Sequence, residues 1–168
     1  MSRKSLTFWT VVILGILIMV CGANRWTIYA KLWHWKHGDA IQCGDRNIPV
    51  PNGWFQAGFI HECNVTAMSR HGEFAVARFY PRTDAPSAND DQWRREYSSE
   101  MMRNGYGIGR ISELTVAGIP TVCVESNKSS DPKVLHIVCA VSHQMMIMLA
   151  YNDRKWESDF YNMVRGMK

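Results

Sequence analysis

The chain has 168 residues, of which 46% are hydrophobic and 20% charged, with a formal net charge of +4 at pH 7. This length accommodates one domain of ordinary size and a short appendage. Residues 1–42 carry five basic side chains and one acidic one, whereas residues 43–168 carry 14 of each sign. The positive charge therefore belongs to the N-terminal segment, and the neutral remainder excludes nucleic acid as a predicted partner.

The first predicted element is an apolar helix. Residues 6–23, LTFWTVVILGILIMVCGA, contain no charged side chain. As a helix they would measure about 27 Å, close to the ~30 Å hydrocarbon layer of a bilayer. Arg3 and Lys4 make residues 1–5 resemble the cytoplasmic n-region of a signal sequence. We predict a transmembrane signal anchor. Cleavage after Ala23, which would release a soluble exported protein, and a buried core helix remain as alternatives.

Residues 24–42 follow as a predicted juxtamembrane segment. Trp26, Tyr29, Trp33 and Trp35 alternate here with basic side chains. This is the composition of a membrane–water interface, where amphipathic rings and cations meet lipid headgroups. The four aromatic residues are therefore predicted membrane-interface residues. The pattern does not decide whether the segment continues the anchor helix or lies flat.

The predicted domain, residues 43–168, begins with the stretch NIPVPNGWF. Its prolines favour extended backbone, and Asn52-Gly53 predicts a turn that leads Trp54 into a strand. Alternation of period two predicts strands over residues 54–70 and 73–82, with a turn at Arg70-His71-Gly72. We interpret Trp54 as a structural anchor.

Helical periodicity replaces alternation over residues 87–105. Ser87 or Asn89 is the predicted N-cap, and Gly105 is the predicted end of the helix. Trp93 and Tyr97 would share the apolar face with Met101, four residues further on.

Strands resume over residues 110–126, with a turn at Ala117-Gly118, and over residues 133–141 and 144–153. An amphipathic helix with Trp156 and Phe160 on its apolar face closes the chain. The predicted class is α+β: an antiparallel sheet of six to seven strands between two helices, preceded by one transmembrane helix.

Three features resemble the PsbP/DcrB-like family, whose fold is shared by the Ran-binding protein Mog. They are the turn Pro51-Asn52-Gly53-Trp54, the strand pair ELTVAGIPTVCVES and the aromatic closing helix, which together span residues 45–168. The resemblance implies an antiparallel sheet between helices and a non-enzymatic accessory, assembly or binding role. It supplies no binding residues, and it does not require the domain's four cysteines.

Those four cysteines, Cys43, Cys63, Cys123 and Cys139, are an even number in a small exported candidate. A turn near Asp131 would place Cys123 opposite Cys139. We prefer the pairs Cys43–Cys63 and Cys123–Cys139, while the other connectivities and free buried thiols remain open.

A zinc site is the alternative use of the cysteines and histidines. The candidate ligands are His61, Cys63, Cys123, His136, Cys139 and His143. On a strand, however, positions 136 and 139 point to opposite faces, and no C-x-x-C pair is present. No G-x-S-x-G nucleophile motif occurs either. We therefore predict no metal and no cofactor.

The sequence as a whole predicts a single-pass, membrane-anchored, extracytoplasmic protein that acts as a non-catalytic interaction or assembly module. Its predicted partners are membrane lipid, bound through the N-terminal helix, and other envelope proteins. A soluble exported ligand-binding protein is the first alternative. An exported thiol- or metal-dependent enzyme is the second.

Overall fold

The computed structural model describes residues 3–56, 63–69, 71–81, 91–116, 118–142 and 145–168. Within these residues the helices are α1 (Arg3–Ala23), α2 (Arg25–His37), α3 (Asp91–Arg103) and α4 (Glu157–Arg165), the last preceded by a 3-10 turn, Arg154–Trp156. The strands are β1 (Ala40–Cys43), β2 (Arg46–Pro49), β3 (Trp54–Gln56), β4 (Asn64–Met68), β5 (Phe74–Pro81), β6 (Tyr106–Val116), β7 (Ile119–Lys128), β8 (Asp131–Ser142) and β9 (Met145–Tyr151).

Seven strands form one antiparallel sheet in the order β3-β4-β5-β9-β8-β7-β6. Strands β1 and β2 form a separate two-stranded sheet. Lys168 extends that small sheet, because its backbone exchanges hydrogen bonds of 2.9 and 3.1 Å with Asn47. The chain therefore ends against its own entry segment.

One face of the large sheet packs against α4, and we call it the α4 face. Side chains directly opposite one another across strands share a face, as Ala77 does with Leu149 and Leu149 with Ile137. All three are fully buried in one apolar cluster with Phe160 and Met163 of α4. This cluster is the main core, and it also contains residues of β1 and β2.

The opposite face carries α3 and α2. Helix α3 packs against β6, where Ile111 shares a cavity with residues of α3 and lies opposite the buried Val124. At the far edge of the sheet, α2 packs against β3 and β4, where Phe55 lies on the side away from α4. The fold is thus α+β, with α3 and α4 on opposite faces of the sheet.

Several predicted details are refined by the structure. The Asn52-Gly53 turn is present, with Gly53 at a φ of +89°. The β1–β2 hairpin was missed, although Gly44 at a φ of +63° supplies the positive φ that a tight hairpin turn requires. Residues 54–70, predicted as one strand, contain two strands, β3 and β4, which pair with each other.

Two further predictions concern the helices. The closing helix begins at Glu157 instead of Trp156, because Asp153 accepts a hydrogen bond from the backbone of Lys155 and caps the 3-10 turn. Ser87 and Asn89, the predicted caps of the central helix, lie outside the described residues.

Candidate functional site

Helix α2 has one face in the protein core. Ala30 and Trp33 are buried on this face. Trp26 stacks on Phe55 with ring centroids 6.1 Å apart, and Tyr29 meets the same ring edge-on at 4.8 Å. Residues of α2 therefore pack against the α+β domain.

His34 fastens the end of α2 to the entry into the sheet. Its Nδ1 lies 2.7 Å from Oδ1 of Asp39, and its Nε2 lies 3.0 Å from the carbonyl oxygen of Trp54. The carbonyl oxygen of Pro51 is 3.2 Å from the same Nε2. These contacts join α2 to the NIPVPNGWF stretch, whose Trp54 is fully buried and donates from Nε1 to Oδ2 of Asp159 at 3.0 Å.

The opposite face of α2 is apolar and exposed. Ile28, Leu32 and Trp35 recur at i, i+4 and i+7 and are 40%, 57% and 86% exposed. The basic residues of the helix flank this stripe on its two sides by helical period, at positions Arg25, Lys31 and Lys36. We call Ile28, Leu32 and Trp35 the outer stripe. An apolar stripe between cations is typical of helices that lie at a lipid surface.

The structure separates the four predicted interface aromatics. Trp33 lies in the domain core, and Trp26 and Tyr29 contact Phe55. Only Trp35 belongs to the outer stripe. Composition alone does not distinguish the four rings. Helical spacing does, because it places Ile28 and Leu32 on the same side of the helix as Trp35.

Helix α1 carries the largest exposed apolar surface of the described chain. Eight of its apolar side chains are more than half exposed: Val11, Ile13, Leu14, Ile16, Leu17, Ile18, Met19 and Val20. Across the part of the chain searched, which includes only Thr10–Ala23 of α1, no single helix is long and apolar enough to cross a membrane. The segments Thr10–Ala23 and Arg25–His37, bent by 74° at their junction, meet that test only as a pair.

The domain cysteines stand in two pairs at disulfide distance. Cys43 lies beside Cys63 with Cα atoms 5.6 Å apart, and Cys123 beside Cys139 with Cα atoms 4.1 Å apart. The register places Cys123 directly opposite Cys139 on the α4 face. Cys21, in α1, is unpaired and exposed.

A network of charged side chains, absent from the sequence predictions, joins α4 to the sheet. Glu125 of β7 receives hydrogen bonds from Arg154 at 2.9 and 3.1 Å and from Arg110 at 3.4 Å. Glu157 receives them from Arg110 at 2.6 Å, Arg154 at 2.7 Å and the hydroxyl of Tyr151 at 2.7 Å. We call these five side chains the Glu125–Glu157 network.

The titration behaviour of the network agrees with its bonding. Burial favours the neutral form of Glu157, but hydrogen bonds from Tyr151 and Arg110 outweigh it and lower the pKa of this carboxyl. Burial, together with the bond to Glu157, raises the pKa of Tyr151. The carboxylates of Glu125 and Glu157 thus both lie between Arg110 and Arg154. Such a network stabilises the packing of α4 on the sheet. Each carboxylate oxygen of the two glutamates accepts at least one hydrogen bond.

The zinc alternative has no site in the described part of the chain, where no three His, Cys, Asp or Glu side chains are grouped to hold a metal. Cys123 faces Cys139, while His136 lies opposite Ser126 on the other face of the sheet. Burial lowers the pKa of His136. His61 and His143 lie outside the described residues.

A further polar feature is a groove between α3 and β6. Arg94, Arg95, Ser98 and Ile111 line a cavity of about 390 Å³ there. Arg94 lies 3.8 Å from a carboxylate oxygen of Glu113 on β6. Ile111 is 52% exposed. The groove therefore combines two cations with an apolar floor at the edge of the sheet.

No protein-family model matches the chain. No curated protein matches it either. Solved structures similar to it include the solution structure of cyanobacterial PsbP (CyanoP) from Synechocystis sp. PCC 6803, at 12% identity and a TM-score of 0.44, covering 77% of this chain and 90% of that one.

The crystal structure of the Saccharomyces cerevisiae Ran-binding protein Mog1p is similar at 12% identity and a TM-score of 0.45, covering 77% of this chain and 93% of that one. The structure of a Mog1 mutant is similar at 12% identity and a TM-score of 0.42, covering 77% of this chain and 94% of that one. These structures carry the names PsbP and Mog that the sequence resemblance gave, and the likeness is one of fold alone.

Proposed function

We propose that this protein is a membrane-anchored interaction module whose domain lies on the extracytoplasmic side of the membrane. Helix α1 is the anchor, α2 lies at the membrane surface, and the α+β domain binds a partner without catalysis. The observation that carries this proposal is the apolar surface of α1.

Eight apolar side chains of α1 are more than half exposed, a concentration that water does not favour on a folded protein. Helix α1 spans 21 residues, which corresponds to about 31 Å. Lipid would remove this surface from water, and Arg25, two residues after the end of the helix, would lie at the level of the headgroups.

The outer stripe of α2 supports the same placement. The bend of 74° between the segments Thr10–Ala23 and Arg25–His37 turns α2 away from the direction of α1. With α1 across the bilayer, α2 would run along its surface, with Leu32 and Trp35 in the interface and Lys31 and Lys36 among the headgroups. Trp33, on the inner face, would hold the domain to this surface helix.

The cysteines support an extracytoplasmic domain. Two pairs stand at disulfide distance inside one small domain, and structural disulfides persist mainly in oxidising compartments. The domain residues 43–168 carry equal numbers of acidic and basic side chains, which leaves the positive charge beside the membrane segment.

The polar clusters of the described residues favour binding over catalysis. The carboxylates of the Glu125–Glu157 network are both bonded to arginines. Hydrogen bonds lower the pKa of Glu157, which disfavours this carboxyl as a general acid near neutral pH. Cys123 and Cys139 face each other, which leaves neither as a reactive thiolate.

Membrane extraction tests the anchor. The full chain should stay with membranes after an alkaline carbonate wash. The double variant Leu14→Lys/Ile18→Lys should be released, because two lysines in mid-helix oppose insertion. Ser129→Lys/Ser130→Lys, in an exposed turn, is the matched control and should be retained. Release of the unmodified chain would contradict the proposal.

Intact mass after alkylation with and without reduction tests the location. The full-length mass with one alkylated thiol, Cys21, before reduction and five after it supports an anchored, oxidised module. A chain beginning at Asn24 would identify a released carrier instead. Alkylation of all domain cysteines without reduction would place the domain in a reducing compartment.

A further inference from the structure

Strand β6 forms one edge of the large sheet. It has 11 residues, and of the described strands only β7 pairs with it. Backbone N–H and C=O groups along an edge strand can accept a further strand. A bulge between Ile108 and Ile111 interrupts the pairing, which leaves the stretch from Ile111 to Val116 as the regular part of the edge.

Helix α3 places two arginines beside this regular stretch. Arg94, Arg95 and Ser98 line one wall of the groove and Ile111 of β6 the other. Ile111 lies opposite Val124, so it is on the same face of the sheet as α3. A strand added to β6 would send every second side chain into this groove.

The charge of the groove is positive on its helical wall. No described carboxylate pairs with Arg95, which is exposed. Arg94 has Glu113 at 3.8 Å, and that carboxylate is 78% exposed. Of the acidic residues of α3, Glu96 and Glu100 lie on a different side by helical period, whereas Asp91 precedes Arg94 and Arg95 by three and four residues. The exposed Arg95 is therefore the cation that an incoming carboxylate would meet.

We propose that β6 and the α3 groove bind an extended acidic segment of a partner protein, which adds to the sheet as a further antiparallel or parallel strand. Its backbone bonds the edge of β6. An acidic side chain of this strand lies beside Arg95, and its methylene groups cover Ile111. This names the partner class for the interaction role proposed above.

Labelled eight-residue peptides test this proposal by fluorescence anisotropy with the full chain in detergent micelles. The probe alternates threonine and glutamate. One comparison peptide alternates threonine and lysine, and another replaces the threonines of the probe with proline, which removes backbone donors. The probe should bind about tenfold or more tightly than either comparison peptide.

Two charge reversals of equal size locate the site. Arg95→Glu should weaken probe binding by about tenfold or more, whereas Lys133→Glu, an exposed change on β8, should leave it within about twofold. Hydrogen exchange should slow at β6 on binding, but not at β3, the other edge of the sheet.

Equal binding of the acidic and basic peptides, equal loss in both variants, or protection at β3 instead of β6 would overturn the proposal. Membrane retention separates this outcome from the function proposed above. Arg95→Glu should remain with membranes after the carbonate wash. A failure of peptide binding would therefore contradict the groove proposal but not the anchor, and release of the chain from membranes would contradict the anchor but not the groove proposal.

Discussion

Helices α1 and α4 differ in what covers their apolar side chains. In α4 the apolar residues Phe160, Met163 and Val164 form one stripe and are fully buried against the sheet. In α1 they surround the helix, and eight of them are more than half exposed. A single stripe can be covered by one protein surface, whereas a helix that is apolar all round needs an apolar medium.

Helix α2 combines both situations in 13 residues. Trp33 is 7% exposed in the core, and Trp35, two residues later, is 86% exposed in the outer stripe. Two residues correspond to about 200° around a helix, so one tryptophan can lie in the protein core while the other lies on the exposed side of the helix. The following predictions test this contrast, from the largest expected effect to the smallest.

Phe160→Ala should lower the free energy of unfolding by about 3–5 kcal/mol, because it leaves a cavity in the core. Leu14→Ala, an equally apolar change in α1, should alter it by less than about 0.5 kcal/mol. Urea titration in detergent micelles, followed by tryptophan fluorescence, measures both. Similar losses in the two variants would mean that α1 is packed against protein.

Trp33→Ala should cost about 3 kcal/mol of unfolding free energy in micelles, because the ring is buried between α2 and the sheet. Trp35→Ala should cost less than about 0.5 kcal/mol in the same assay. In liposomes, lipid contact should distinguish the same two positions. A photo-crosslinker at position 35 should label lipid, and one at position 33 should label protein. Lipid labelling at both positions would contradict the placement of Trp33.

Replacing Cys43 and Cys63, or Cys123 and Cys139, by alanine should each lower the free energy of unfolding by about 2–4 kcal/mol, provided that the pairs are oxidised. The enclosed separations of 20 and 16 residues are similar, so the two losses should be similar as well. Denaturant titration of the two double variants measures them. Stability unchanged by reduction of the parent chain would show that the pairs are free thiols.

Glu157→Gln should cost about 1–3 kcal/mol near neutral pH, because two arginines and Tyr151 lose a charged acceptor. The pKa of Glu157 is lowered in the folded protein, so its stabilising contribution exists above the ordinary value of 4.5 and disappears as pH falls through the folded value. The difference between parent and variant should therefore shrink in acid. Glu113→Gln, on an exposed carboxylate, is the matched control and should change stability by less than about 0.5 kcal/mol.

His136 should give the smallest effect. Burial lowers its pKa below 6.5, so the neutral ring contributes stability above that pH, and this contribution declines as pH falls towards the folded value. Because the ring is half-buried, solvent screening keeps the effect below about 1.4 kcal/mol per pH unit. Denaturant titrations at about pH 7.5 and 5.5 should show a smaller decline for His136→Gln than for the parent chain. Equal declines would contradict this assignment.

Much of the fold follows from local patterns. Alternation identified the strands around Ala77, Cys139 and Leu149, and helical spacing identified α3 and α4. The Asn52-Gly53 and Ala117-Gly118 pairs marked turns, and Gly53 and Gly118 have φ values of +89° and +80°. These features depend on neighbours in the chain, and the sequence shows neighbours directly.

The Glu125–Glu157 network was not predictable in the same way. In the sequence, Arg110 stands at the start of a predicted strand, and Glu125 lies in a largely apolar stretch of residues 110–126. The bulge before Ile111 changes the pairing of β6, and the closing helix brings Glu157 to the same place. Their meeting depends on contacts between residues up to 47 positions apart, which no local period encodes.

The sequence by itself determined the apolar N-terminal helix, the concentration of positive charge beside it, the antiparallel α+β class and the spacing of the four domain cysteines. Only the tertiary structure decided that Trp33 faces the sheet while Trp35 faces outward, and that β6 is an edge with arginines beside it. The physical reason is that periodicity defines the faces of an element, whereas the surfaces that cover those faces come from distant parts of the chain.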